Sequence, residues 1–242
     1  MAFDDREWEK IYSSAKRPID FFTDRIYYPF SLRLVYQLRN SAVTPNQLTI
    51  TSLILGLISA CFFARGVWAS LIVGSLIYQA SYILDCADGQ LARYRKQYSP
   101  IGGWLDQIAD RIKEFAVIYA LALGYYRQEG DVAIWTFAFI AFFLVYLLEY
   151  YGQQHMTIPI GEEEHKAKDA ADFNRFENSI YRLFPFRGFN IGEQTFVIAL
   201  FTFFGQVRLL FLVMIAAGGL MAVYHPLRRY LKYLRNTGRN NS

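Results

Sequence analysis

Four aspartates, Asp85, Asp88, Asp106 and Asp110, stand at spacings of three and four on either side of a short basic loop. On helices, Asp85 and Asp88 share one face, and Asp106 and Asp110 share another. Both pairs lie at the ends of long apolar runs. An aspartate at membrane depth costs about 2.5–3.5 kcal/mol on insertion scales, so a cluster of four needs a purpose. If the two helices are antiparallel neighbours, the four carboxylates converge on one point, where they repel one another. Two divalent cations would cancel the four charges, and an all-oxygen ligand set suits Mg2+ or Mn2+ and not Zn2+.

The residues between the pairs extend that chemistry. Gly89 and Ala92 keep the face beside the acids low, and Gly102 opens the start of the second helix. Arg93 adds a fixed cation able to pair with a phosphate. Metal ions, a phosphate-binding cation and a cleared floor suit phosphoryl-group transfer, in which positioning and charge neutralisation do most of the catalysis. Taken singly, each residue has a plainer reading. An aspartate can cap an interface, and Arg93, Arg95 and Lys96 can be ordinary inner-face cations. The argument rests on their joint order and spacing.

Helices must carry these residues. The chain has 242 residues, 54% of them hydrophobic and 18% aromatic. No charge falls between Arg39 and Arg65, or in 66–84, 132–148 and 209–227. Such runs are long enough to cross a bilayer. A further helix over 103–126 must include the second acidic pair in its first turns, and another over 190–207 is short in apolar residues. The reading is an all-α polytopic membrane protein with six spans, at 46–66, 68–93, 103–126, 131–151, 190–207 and 208–231. Of the 25 lysines and arginines, only Arg65, Arg127 and Arg208 fall on the outer side when the N-terminus is inside. That bias puts both termini and the acids at the cytoplasmic face. The net charge of +4 fits an anionic leaflet and calls for no nucleic acid.

Residues 1–43 mix aromatics with charge and read as an amphipathic helix in the membrane interface, bent at Pro29. Residues 44–235 form the transmembrane domain, and 236–242 a cytoplasmic tail. Thr44-Pro45 is a good helix start. Asn46 reads as part of that start, with a place facing the active site as the alternative. The polar 152–189 connection has a helix-forming stretch at 162–178 and carries Arg175 and Arg182.

The full pattern, Asp-x2-Asp-Gly-x2-Ala-Arg-x8-Gly-x3-Asp-x3-Asp, resembles the signature of the CDP-alcohol phosphotransferase family, with every fixed position present from Asp85 to Asp110. The resemblance implies an enzyme that moves a substituted phosphate from a CDP-linked donor to an acceptor hydroxyl and releases CMP. It implies two metal ions on Asp85, Asp88 and Asp106, with Asp110 contributing to the second and acting as general base. It also implies that Asp85, Asp88, Gly89, Ala92 and Arg93 border the nucleotide, and that the protein is a homodimer. Gly218 and Gly219 would allow a close helix contact, within the chain or between copies.

Substrate identity is less legible. Arg111, Lys113, Arg175 and Arg182 lean towards a phosphorylated acceptor, with CDP-diacylglycerol as donor. In the alternative, a CDP-linked polar head such as CDP-inositol or a CDP-amino alcohol is transferred to a lipid or inositol phosphate. More distant alternatives are a membrane prenyltransferase and a cation transporter, both of which also use intramembrane acids.

Overall fold

The computed structural model describes residues 4–15, 20–157 and 189–240. The described residues are helical and contain no strand. Helix α1 is Asp5–Ser14 and α2 is Tyr28–Leu38. The long helices are α3 (Pro45–Phe63), α4 (Trp68–Arg95), α5 (Pro100–Glu129), α6 (Ala133–Thr157) and α8 (Val207–Asn240). The shorter α7 is Ile191–Phe203. Helices α3, α4, α6 and α8 are long and apolar enough to cross a membrane. The expected surface helix at 162–178, with Arg175 and Arg182, lies outside the described residues.

The exterior and interior are inverted relative to a water-soluble bundle. Phe139, Leu76 and Val223 are 71%, 66% and 67% exposed, whereas Ser52, Ser59, Ser81, Thr49 and Asp88 are buried. An apolar outside with polar groups paired inside is the arrangement that lipid imposes.

Local chemistry sets the helix ends. Thr44 and Gln47 form a reciprocal capping box at the start of α3, with Gln47 N donating to Thr44 Oγ1 at 3.3 Å and Thr44 N donating to Gln47 Oε1 at 2.9 Å. Helix α4 stops at Lys96, which adopts the left-handed conformation at φ 55°. Three residues later Ser99 caps α5, its Oγ accepting from Gly102 N at 2.9 Å.

Helix α3 is the spine of the site half of the bundle. It packs closely against both α4 and α5, while the backbones of α4 and α5 stay farther from each other than from α3. The two acid-bearing helices are therefore less intimate neighbours than their short connection suggests. Their acids meet across a space that α3 props open. The buried face of α3 carries a row of small and polar residues, Thr49, Ser52, Gly56 and Ser59, with Leu48, Ala60 and Phe63 at its ends. At its far end the contact is closest where Gly66, at φ 71°, meets Gly124 of α5. A Cβ on Gly124 would lie 2.1 Å from the Phe63 carbonyl oxygen.

The N-terminal segment differs from a single bent helix. A π-helical turn, Thr23–Tyr27, runs directly into α2, with Tyr28 N donating to the Thr23 carbonyl. Pro29 has no N–H and its ring crowds the carbonyl of Arg25, one turn back; the wider π turn relieves that crowding. Ile11, Tyr28, Leu32 and Val35 are buried against Leu48 of α3 and Ala87 and Leu91 of α4. In α1, the Lys10 ammonium, with help from the Tyr94 hydroxyl, holds the Glu7 carboxyl below its ordinary range.

Gly124→Ala should lower stability by about 1–3 kcal/mol, because its methyl group meets backbone that cannot swing aside. Gly103→Ala, whose Cβ would meet nothing within 4 Å, should be neutral or slightly stabilising. Thermal unfolding of both variants in detergent measures the difference; equal melting points would refute the close crossing.

Candidate active site

One ligand oxygen each from Asp85, Asp88 and Asp106 lies within 4.8 Å of the others. Asp85 and Asp88 come from α4, one turn apart, and Asp106 from the second turn of α5. Two carboxylate charges this close repel by at least about 3 kcal/mol at an effective dielectric near 20, so the cluster calls for cations. Hard carboxylate oxygens are the donor set for Mg2+ or Mn2+. The fit is tested by a cation already present: the Lys113 ammonium sits between Asp85 and Asp110, 2.9 Å from Asp110 Oδ1. Positive charge is thus accommodated at this point.

Hydroxyl groups of α3 and α4 hold the acids in place. Thr49 Oγ1 donates to Asp88 Oδ2 at 2.5 Å. Lys113 Nζ donates to Ser52 Oγ at 3.0 Å, and Ser81 Oγ donates to the Ser52 carbonyl at 2.7 Å. A small cavity lined by Tyr78, Ser81, Tyr82, Asp110, Lys113, Glu114 and Ile191 lies beside the acids.

The remaining sequence-predicted residues fall into distinct places. Gly89, next to Asp88, and Ala92, one turn beyond it, are half-buried. Arg93 Nε donates to the Ser14 carbonyl at 2.6 Å, and its terminal nitrogens lie against Gly89, where a Cβ would stand 3.1 Å from Nη1. Arg95 donates to the carbonyls of Leu38, Ser41 and Val43 and fastens the α2–α3 connection to the end of α4. Gly102 faces Asn46, whose Oδ1 would meet a Cβ there at 2.8 Å. Asn46 thus closes the space at the start of α5.

Arg111 and Lys113 turn to carboxylates. Arg111 makes a two-pronged contact with Glu114, at 2.8 and 2.9 Å, and approaches Glu149 of α6 at 3.7 Å. Arg175 and Arg182 lie outside the described residues.

Sequence reasoning missed Thr49, Ser52, Ser81 and Gly56 as parts of the site. A signal existed: Thr49, Ser52, Gly56 and Ser59 recur at spacings of three and four in a helix that, past its first turn, is otherwise apolar except for Thr51. It also missed Asp20. Buried behind the site, Asp20 accepts from Thr23 N and Thr23 Oγ1, both at 2.7 Å. Thr23 Oγ1 in turn pairs with Tyr82 OH at 2.8 Å. Burial pushes the Asp20 carboxyl above its ordinary range, against the lowering effect of the Thr23 bonds.

An acid cluster at the ends of two bundle helices, with a cation among its carboxylates and a neighbouring cavity, is an arrangement that suits phosphoryl transfer. The profile described as CDP-alcohol phosphatidyltransferase matches residues 42–223, which include all of it, and the chain belongs to that family of substituted-phosphate transferases. A bifunctional IPC transferase and DIPP synthase from Aquifex aeolicus is 29% identical over 171 residues, 71% of this chain and 35% of that protein. This chain therefore spans about a third of that relative's length. The archaetidylinositol phosphate synthase of Pyrococcus horikoshii is 29% identical over 118 residues, 49% of this chain and 58% of that protein. The crystal structure of Mycobacterium tuberculosis phosphatidylinositol phosphate synthase with CDP-DAG bound shares the fold, with a TM-score of 0.60 at 17% identity, over 83% of this chain and 92% of that one. The same enzyme in complex with manganese and citrate gives 0.58 at 16%, over 81% and 86%.

Thr49→Val removes the hydroxyl that holds Asp88 without changing shape. It should weaken Mn2+ binding by about 10–100-fold, the usual effect of losing a group that orients a ligand. A titration of the purified protein reads this directly, and unchanged affinity would show that Asp88 needs no such support.

Proposed function

We propose that this chain is a divalent-metal-dependent CDP-alcohol phosphotransferase of phospholipid synthesis. It moves a substituted phosphate from a CDP-linked lipid of the CDP-diacylglycerol type to a hydroxyl of a phosphorylated polyol, and releases CMP. The observation that carries the reading is the meeting of Asp85, Asp88 and Asp106 within 4.8 Å, with Asp110 one turn farther along α5. The CDP-DAG and manganese complexes of the mycobacterial enzyme support a CDP-linked lipid donor and a divalent ion. Two similar proteins are named for inositol phosphate lipids, which supports a phosphorylated polyol as acceptor.

In this reading Asp85, Asp88 and Asp106 would hold two Mg2+ or Mn2+ ions, with Asp110 contributing to the second. When bound, the ions neutralise the diphosphate and make its phosphorus a better electrophile. Gly89 and Ala92 leave room for the cytidine diphosphate, and Arg93 offers its terminal nitrogens to a phosphate. Asp110 borders the cavity beside the acids, where an acceptor hydroxyl can approach. It takes the hydroxyl proton as the oxygen bonds to the phosphorus bearing the lipid alcohol. The bond from that phosphorus to the CMP oxygen breaks, and the electron pair leaves with CMP. Arg175 and Arg182 serve the acceptor phosphate. Arg111 and Lys113, engaged by carboxylates at rest, act on the charge balance.

The same reading has six spans, α3 to α8, with residues 44–235 as the transferase domain and 1–43 along the membrane surface. Both termini and the site face the cytoplasm, supported by the basic-residue bias. The protein is a homodimer in this reading. Gly218 is taken by Leu144 of α6, so Gly219, open on the outside of α8, is where a second copy would approach. Family membership sets aside the prenyltransferase and transporter readings.

The match to the bifunctional Aquifex relative over 71% of this chain favours a second reading, with a CDP-linked polar head as donor and a lipid or inositol phosphate as acceptor. A CMP-release screen with Mg2+, several CDP-linked donors and several acceptors decides between the two. Using the best pair, Asp110→Asn should lower turnover by about 10²–10⁴-fold while keeping donor binding. Near-normal turnover would move the base elsewhere. Arg93→Ala should weaken donor binding by about 10-fold or more, the scale of a lost charge-assisted hydrogen bond. Unchanged affinity would remove Arg93 from the site.

A further inference from the structure

Lys113 is 5% exposed, and its ammonium is fully engaged: by Asp85, by Asp110 Oδ1 at 2.9 Å and by Ser52 Oγ at 3.0 Å. A lysine near the end of a spanning helix ordinarily extends its long stem towards water. This one is led the other way by a groove on α3. A Cβ on Gly56 would stand 2.8 Å from Lys113 Cγ and 3.0 Å from Cδ, so the stem fits only because residue 56 is glycine. Groove, hydroxyl and two carboxylates together form a built seat for one ammonium group.

That seat lies between Asp85 and Asp110, while Asp85, Asp88 and Asp106 form the tight group able to hold an ion. The geometry points to Lys113 as a tethered cation that holds the second metal position of this site until a donor arrives. The inference rests on the metal centre proposed above and specifies how it fills. Four carboxylates and one ammonium sum to three negative charges. One divalent ion leaves one negative charge, and a second leaves an excess positive charge beside a buried ammonium. The negative charge of a diphosphate removes that excess. Without a nucleotide, then, the site takes one ion strongly and resists the second. The donor and the second ion enter together.

The test is Mn2+ uptake by the purified full-length protein in detergent, without nucleotide, followed by the electron paramagnetic resonance of free Mn2+. The wild type should take up one ion per chain over the range in which Lys113→Met takes up two. The second ion should bind at least 10-fold more tightly to Lys113→Met than to the wild type. Gly56→Ala keeps the charge but crowds the stem, and should shift second-ion affinity in the same direction. It serves if Lys113→Met does not fold. Two ions of equal affinity in the wild type, unchanged in both variants, would leave the metal centre standing and overturn the role of Lys113. No uptake by any of the proteins would overturn the metal centre itself, and this inference with it.

Discussion

Like charges held together inside an apolar bundle are the constraint on which the rest of this structure depends. Asp85, Asp88 and Asp106 cannot separate, because each sits on a helix fixed by its packing on α3. They cannot be solvated as they would be in water, because the surrounding surface is apolar. The remaining solutions are hydrogen bonds, ammonium groups and metal ions, and the protein provides the first two itself. Thr49 donates to Asp88, and Lys113 donates to Asp85 and Asp110. The energetic tension that would make a soluble core fail gives this site its affinity for cations.

Holding that tension in register requires the end of α4 to be rigid. Three consecutive side chains there, Arg93, Tyr94 and Arg95, reach Ser14, Glu7 and the α2–α3 connection. The left-handed Lys96 and the Ser99 cap then return the chain into α5 within four residues. A positive φ at a non-glycine residue is unfavourable, and it persists here because the Arg95 clamp and the cap fix the chain on both sides. The N-terminal segment is thus part of the scaffold of the site, because Arg93 cannot both hold Ser14 and lie against Gly89 unless α1 is docked.

The grouping of Asp85, Asp88 and Asp106 was legible in the sequence because helical spacing puts each acidic pair on one face. Long charge-free runs revealed α3, α4, α6 and α8 for the same elementary reason. What escaped was α3 as the spine, since Thr49, Ser52, Gly56 and Ser59 are unremarkable one at a time. Their meaning lies in a shared face, and that face is defined only by what packs on it. The turn before Pro29 escaped for a different reason. Proline crowds the preceding turn without specifying which alternative relieves it, and the π turn found here leaves Tyr27 and Tyr28 buried. The α4–α5 gap likewise depends on a third helix that no local pattern names.

Arg111 and Lys113 show where a counting rule meets its limit. Basic residues at the inner end of a span are ordinarily read as orientation signals, solvated or facing lipid headgroups. Here Asp106, Asp110 and Lys113 follow one another at spacings of four and three, so all three share one face of α5. A lysine on the face of two of these acids turns inward to them along the groove that Gly56 leaves open. Arg111 is displaced by one residue from Asp110 and finds Glu114 and Glu149 instead. Neighbouring cations on one helix therefore serve two separate acidic clusters, and the helical angle between them decides which is which.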